Sequence, residues 1–187
     1  MAKKDDSSDY SSEFPRPGSR VYNRMLADEK TRKKDLKRSK TYNKYFIIPL
    51  YKIGLLPLLG LGRFGLLLQH KGRKTGKKRT TPVGYYRRDG VIHIISGRGE
   101  KADWLKNIRA NPNDVYVQVG FRKYHAKVEI VDDLSERQNF WRWFIKKHQK
   151  AAKSFVGWDP KRDNPETTDL SFLVENLPVV RLHRPTQ

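Results

Sequence analysis

Asp89-Gly90 sits between two runs of strand-forming residues, and this dipeptide constrains the fold more than any other feature of the chain. An Asp-Gly pair supplies the two positive φ angles of a two-residue β-hairpin turn. Arg79 to Arg87 and Val91 to Ser96 (VIHIIS) therefore read as antiparallel neighbours. Ahead of them, Phe64 to His70 carries Leu66-Leu67-Leu68, a run that implies a strand buried on both faces. Beyond them, Val115, Val117 and Val119 alternate with Tyr116 and Gln118, Lys123 to Val131 forms a fifth strand, and LPVVRLH at 177–183 closes the set.

Helical spacing appears in Lys101 to Ala110, where Trp104 and Ile108 stand at i and i+4 and Asn111-Pro112-Asn113 ends the segment. It appears again in Leu134 to Lys153, entered through Asp133 with Glu136 three residues on. Residues 157–170 read as loop. The order β-β-β-α-β-β-α-β is not an alternating β-α pattern, which argues against a doubly wound dinucleotide sheet. About six mostly antiparallel strands with few helices close most easily as a small barrel, which removes exposed edges.

Residues 1–41 are polar and basic and are expected to form a largely disordered arm, with a solvated helix over 21–44 as the alternative; the domain spans 42–187. Tyr45 to Leu68 is apolar, but Lys52 and Arg63 interrupt it and Pro49 and Pro57 break the helix. That argues against a spanning segment and for a short helix lying on the domain or against a membrane face. With no cysteine, disulfides and thiol chemistry are excluded, and a reducing cytoplasm is the expected compartment, with peripheral contact at the inner membrane face through residues 32–61. No histidine has metal spacing, and no metal site is expected.

The formal net charge is +20, which calls for an anionic partner. Six of the nine residues from Lys71 to Arg79 are basic and none is acidic. Gly72 and Gly76 are expected to turn the backbone at positive φ and bring N–H groups to a ligand, with Thr75 adding a hydroxyl. The alternative is a solvated hairpin loop. The GxxxxGK[ST] spacing of a Walker loop is absent. Ser96-Gly97-Arg98-Gly99 then runs into a helix bearing Trp104 and Asn107, a second place for an anion to meet free N–H groups; the plain alternative is a tight turn with Trp104 as core. Interleaved aromatics (Tyr85, Tyr86, Tyr124) would suit a single-stranded nucleic acid, a reading supported mainly by charge and therefore disfavoured.

Together, GRKTGKKRTTP, the DG hairpin, the Gly-rich strand end, DWLKNIRANP and VQVG resemble the deazaflavin-dependent nitroreductase family, over about Tyr45 to Val131. The resemblance implies an α+β, mainly β fold, a split β-barrel like that of FMN-binding proteins. It implies coenzyme F-420, an 8-hydroxy-5-deazaflavin with a phosphate and an oligoglutamate tail, with FMN as the alternative. By matched position, Arg73, Lys74, Thr75 and Arg79 would grip the phosphate and tail, with Lys77 and Lys78 as further tail contacts. Pro82 would lie beside the ring, and Ser96, Gly97, Arg98, Gly99, Trp104 and Asn107 would line it. The implied activity is hydride transfer from the reduced cofactor to a quinone, nitro compound or activated alkene. Nitroimidazole-reducing members have Tyr where this chain has Gly84, and their Tyr-rich C-terminal segment is replaced around Phe155 and Trp158; these three residues are the expected acceptor pocket. Family barrels pair, so a homodimer is an open expectation. The rival class is a basic nucleic-acid- or membrane-binding barrel without catalysis.

Overall fold

The structure is a computed structural model and describes residues 13–60 and 65–184. Seven strands form one curled sheet in the order β5-β4-β1-β2-β3-β7-β6. They are β1 Gly65–Lys71, β2 Lys78–Arg88, β3 Val91–Ile95, β4 Tyr116–Val119, β5 Arg122–His125, β6 Lys127–Val131 and β7 Val179–His183. Every neighbouring pair is antiparallel. The long strand β2 serves both halves: residues 78–84 pair with β1 and residues 85–88 with β3. This is the α+β split barrel expected from the sequence. Asp89 (φ 51°) and Gly90 (φ 78°) make the β2–β3 turn in the left-handed conformation that the dipeptide implied.

The sheet has seven strands rather than six because Lys123–Val131 is divided at Ala126. Up to His125 the chain pairs with β4, and from Lys127 it pairs with β7. Ala126 is buried at this corner, where its N–H donates to the Val115 carbonyl (2.9 Å). A small side chain allows the chain to change partners inside a packed core.

Leu66, Leu67 and Leu68 are all fully buried, as their unbroken apolar run required. Leu66 and Leu68 join Ile92, Ile94, Val117 and Leu182 inside the barrel, closed by Leu105 and Ile108 of α5 (Asp103–Ala110). Leu67 points the other way, to Tyr51 and Leu56. A second core lies outside the barrel around Trp141, Phe144, Trp158 and Leu173. It is built by α6 (Leu134–Lys147), α7 (Gln149–Val156) and α8 (Ser171–Asn176). The single helix expected over 134–153 is broken at His148 (φ −122°, ψ 47°). The bend lets α7 bury Ala152 and Val156. Asp133 caps α6 as read, its Oδ1 accepting the Glu136 N–H (2.8 Å).

The N-terminal region differs from expectation. Residues 1–12 of the expected arm lie outside the described residues, but α1 (Arg20–Met25) and α2 (Glu29–Tyr42) are helical. Phe14 and Val21 are buried in the outer core, and Arg16 forks onto Asp163 at 2.6 and 2.7 Å. These anchors are single residues in a polar stretch, so composition hid them. In α2 no residue is buried, which agrees with a solvated helix. The apolar segment is a π-helical turn Asn43–Ile47 followed by α3 (Ile48–Lys52) and α4 (Leu55–Leu58). Among the described residues no helix is long and apolar enough to cross a membrane.

Candidate functional site

The basic loop joins β1 to β2 and is closed on itself. Gly72 donates its N–H to the Lys77 carbonyl (2.9 Å), and the Thr75 and Gly76 N–H groups return to the Gly72 carbonyl (3.3 and 2.8 Å). Only Gly76 has a positive φ (66°). Gly72 sits in a tight space instead: a Cβ there would lie 3.3 Å from the Lys77 carbonyl oxygen and from Thr75 Oγ1.

Asn107 fixes this loop to α5. Its Oδ1 accepts from the Arg73 backbone N–H (3.1 Å) and from Arg73 Nη1 (2.9 Å). Arg73 Nη2 also meets Asp103 Oδ1 at 3.2 Å. Asn107 Nδ2 faces His70 Nδ1 (3.3 Å), and His70 Nε2 faces Thr81 Oγ1 (3.2 Å). Burial holds the His70 imidazole below its ordinary pKa, and the charge of Arg79 adds to this, so the ring is neutral near pH 7. A neutral ring accepts at Nδ1 and donates at Nε2, which satisfies both contacts. Arg73 is thus a structural clamp. The ion pairs of this region engage Lys71 with Asp114 and Arg73 with Asp103; among the described residues no carboxylate pairs with Lys74, Lys78 or Arg79. Their positive charge is available to a ligand.

A cleft of about 1860 Å³ opens over this loop. That exceeds the roughly 300–1,000 Å³ of a site for one small ligand, leaving room for a large cofactor and a second molecule. One wall is the loop and β2, with Lys74, Thr75, Lys78, Arg79, Pro82, Gly84 and Tyr86. The facing wall is the turn after β3 and the start of α5, with Gly97, Arg98, Trp104 and Asn107. Phe155 and Phe172 close the far end, and α1 and α2 form the roof, with Arg20, Arg24 and Leu36. At Gly97 a Cβ would meet the Phe155 ring at 3.2 Å and Arg24 Nη1 at 3.3 Å, so the missing side chain leaves that end open.

Most of the residues singled out in the sequence therefore meet here, and four do not line the cleft. Lys77 is exposed at the loop. Ser96 is fully buried and donates Oγ–H to the Gly99 carbonyl (2.7 Å), holding the turn that presents Gly97 and Arg98. Gly99 (φ 55°) packs so closely that a Cβ would lie 2.5 Å from the Asn176 carbonyl oxygen. Trp158 lies in the outer core, 1 % exposed, with Nε1–H donated to Thr168 Oγ1 (3.1 Å); it fills the core instead of the acceptor end. Among the described residues no three His, Cys, Asp or Glu side chains converge as a metal site.

Several cleft residues were not read as site residues from the sequence, among them Arg20, Arg24, Phe172, His70 and Tyr86, the last named only as an aromatic suited to nucleic acid. His70 needed the Asn107 contact, which spans 37 positions. Tyr86 alternates with Pro82 and Gly84 along β2, a period of two that places all three on one face. Its ring meets Phe144 edge-on (4.7 Å). Burial raises the pKa of its phenol, against the opposing charge of Arg20, so Tyr86 keeps its proton at neutral pH.

A family model described as F420H(2)-dependent quinone reductase matches residues 59–155. That span holds the basic loop, the β2 wall, the Gly97–Arg98 turn, Trp104, Asn107 and Phe155. A curated Mycobacterium tuberculosis protein, whose name places it provisionally among the F420H(2)-dependent quinone reductases, is 34 % identical over 79 residues. The match takes in 41 % of this chain and 65 % of that protein, so the chain spans somewhat less than two thirds of the relative's length. Among solved structures, the F420-H2 dependent reductase FDR-A is 22 % identical, with a TM-score of 0.45 over 65 % of this chain and 95 % of that one. An F420 reductase is 17 % identical, with a TM-score of 0.42 over 67 % and 88 %.

Proposed function

From the premise that the chain belongs to the F420H(2)-dependent quinone reductase family, we propose that it is an oxidoreductase whose cleft holds the reduced deazaflavin coenzyme F-420 beside a small electron-poor acceptor. The observation that carries this reading is that the family match covers both walls of the cleft and the basic loop at its end.

The donor set fits such a cofactor. Its phosphate and glutamate tail are anionic, and Lys74, Lys78 and Arg79 offer unpaired positive charge, with Arg79 able to fork onto phosphate or carboxylate. Thr75 adds a neutral donor. Arg73 supports the reading indirectly: fixed by Asn107 and Asp103, it holds the loop in place, so less order has to be imposed on binding. Pro82, Gly84, Gly97 and Trp104 also line the cleft, and in this reading they lie beside the planar ring.

When bound, the reduced cofactor supplies hydride, which is the hard chemistry of the reaction. The side chains position, exclude water and manage protons. Phe155 and Phe172 provide an apolar end for the acceptor. A quinone becomes a hydroquinone by gaining two electrons and two protons, one of which accompanies the electrons as hydride. Tyr86 holds a proton at Oη in the cleft and can donate it, or a hydrogen bond, to the acceptor oxygen that becomes negative. Nitro compounds and activated alkenes share the need for an electron-poor centre and one added proton.

The test is titration of the purified chain with the reduced cofactor, read by cofactor fluorescence, alongside the double variant Lys74→Ala/Arg79→Ala. Each removed cation is expected to weaken binding about tenfold, the loss of one charged hydrogen bond of roughly 1.5 kcal/mol. Absence of binding, or an affinity indifferent to both substitutions, refutes the assignment.

A further inference from the structure

The β4–β5 turn lies at the Gly65 end of β1, opposite the basic loop at its Lys71 end. Its Phe121 is 71 % exposed. The ring rests against the turn between α3 and α4, where a Cβ on Gly54 would lie 2.8 Å from Phe121 Cε1. Ile53, Leu58 and Leu59 stand on that same segment, at 74 %, 75 % and 66 % exposure. Tyr51 locks the two pieces together: its hydroxyl accepts from the Gly120 N–H (2.8 Å) and donates to the Gly65 carbonyl (3.0 Å). Four large apolar side chains are therefore held in water on anchored backbone, and nothing in the described fold covers them.

Arg122, next in the chain, opens a separate hollow of about 430 Å³ with Arg87, Tyr124, His183 and Arg184 on its walls. The Arg184 guanidinium lies over the Tyr124 ring, 4.7 Å from its centroid. Arg87 is steadied by the Gly90 carbonyl (3.1 Å). Glu129, beside His183, is already engaged by His183 (2.7 Å) and Arg181 (2.5 Å). Three guanidinium groups thus share one concavity, and one of them, Arg122, directly follows Phe121 in the chain. Guanidinium forks match phosphate oxygens.

We propose that this end of the barrel docks on an anionic phospholipid surface, with Ile53, Leu58, Leu59 and Phe121 entering the acyl boundary and the Arg87–Arg122–Arg184 hollow receiving a lipid phosphate. Stable attachment of a peripheral protein takes both an apolar and an electrostatic signal, and the two meet in the chain at Phe121-Arg122. A second copy of the chain is the poorer occupant, because pairing this face with itself would oppose like charges in a molecule already at +20. The surface is distinct from α2, which roofs the cleft.

Flotation of the full chain with phosphatidylcholine vesicles, with and without phosphatidylglycerol, tests this. Wild type should float with the anionic vesicles, less so as salt is raised. Arg87→Gln/Arg184→Gln should lower the partition coefficient about fivefold per arginine, roughly twenty-five-fold together. Leu58→Ser/Phe121→Ser should lower it at least about tenfold on anionic vesicles. Both pairs are surface changes, and unchanged thermal unfolding would verify the fold. Lys147→Gln/Lys150→Gln, on α6 and α7, removes the same charge elsewhere and should leave flotation intact. No flotation of the wild type, or an equal loss in that control pair, overturns the proposal. So does full displacement by soluble glycerol phosphate, which would reveal a free-phosphate site with no role for the bilayer. Cofactor affinity should be the same in all variants, which separates this outcome from the fate of the cleft assignment.

Discussion

Asn107→Ala removes a side chain that ties the basic loop, α5 and β1 together. Three hydrogen bonds are lost: two accepted from Arg73 and one donated to His70. They are not equal. The Arg73 guanidinium keeps Asp103 and is 27 % exposed, so water replaces part of what it loses. His70 is 4 % exposed, and stranding its Nδ1 carries the desolvation cost of a buried polar atom, about 1–3 kcal/mol. Adding about 1 kcal/mol for the Arg73 backbone N–H gives a destabilisation of roughly 2–4 kcal/mol. In a chain of this size that lowers the thermal midpoint by roughly 5–15 °C. Urea unfolding at pH 7.5 measures it, with the slope unchanged if only the native state is affected. Asp103→Asn is the contrast: it breaks an ion pair whose carboxylate is 65 % exposed and should cost less than about 1 kcal/mol. Because the loop also loses its clamp, the Asn107 variant should bind the cofactor more weakly, even at temperatures where it is fully folded. A change under about 0.5 kcal/mol with unaltered affinity would refute the hub role.

Three further outcomes are expected. Tyr86→Phe keeps the ring and removes the proton, so turnover with a quinone should fall about 10²-fold or more while cofactor affinity holds; equal loss of both would instead indicate a packing role. Burial depresses the pKa of His70, His93 and His148 in the folded chain, so between the folded values and the unfolded value near 6.5 the unfolded state binds more protons. Their contribution to stability is complete above about pH 6.5 and is lost as the pH falls through the folded values; a urea midpoint that held constant or rose from pH 7.5 to 5.5 would contradict this. Arg16→Ala removes the charged partner of the Asp163 carboxylate, itself 9 % exposed and otherwise accepting the Asp159 N–H, and should cost roughly 3–5 kcal/mol by urea unfolding; a cost near zero would mean that the N-terminal segment is not anchored through this pair.

The loop, hairpin, strands and helix caps were legible because each depends on neighbours in the chain. Asp89-Gly90 needs only its own φ angles, Leu66-Leu67-Leu68 only its unbroken apolarity, and Asp133 only the N–H three residues on. The basic loop was legible as a concentration of positive charge for the same reason, since six cations in nine residues need no fold to be seen. What lay out of reach was every feature made by residues far apart in sequence. Whether Trp158 faces a pocket or a core depends on where α8 packs, and whether Lys123–Val131 is one strand or two depends on β4 and β7 competing for it. Arg73 shows the division most clearly. The family resemblance placed it among the cations expected at the cofactor's phosphate and tail; the fold adds that it is held by Asn107 and Asp103, while among the described residues no carboxylate pairs with Lys74, Lys78 or Arg79. The physical reason is that charge is a property of a residue, whereas its availability depends on which partner the fold brings within hydrogen-bonding distance.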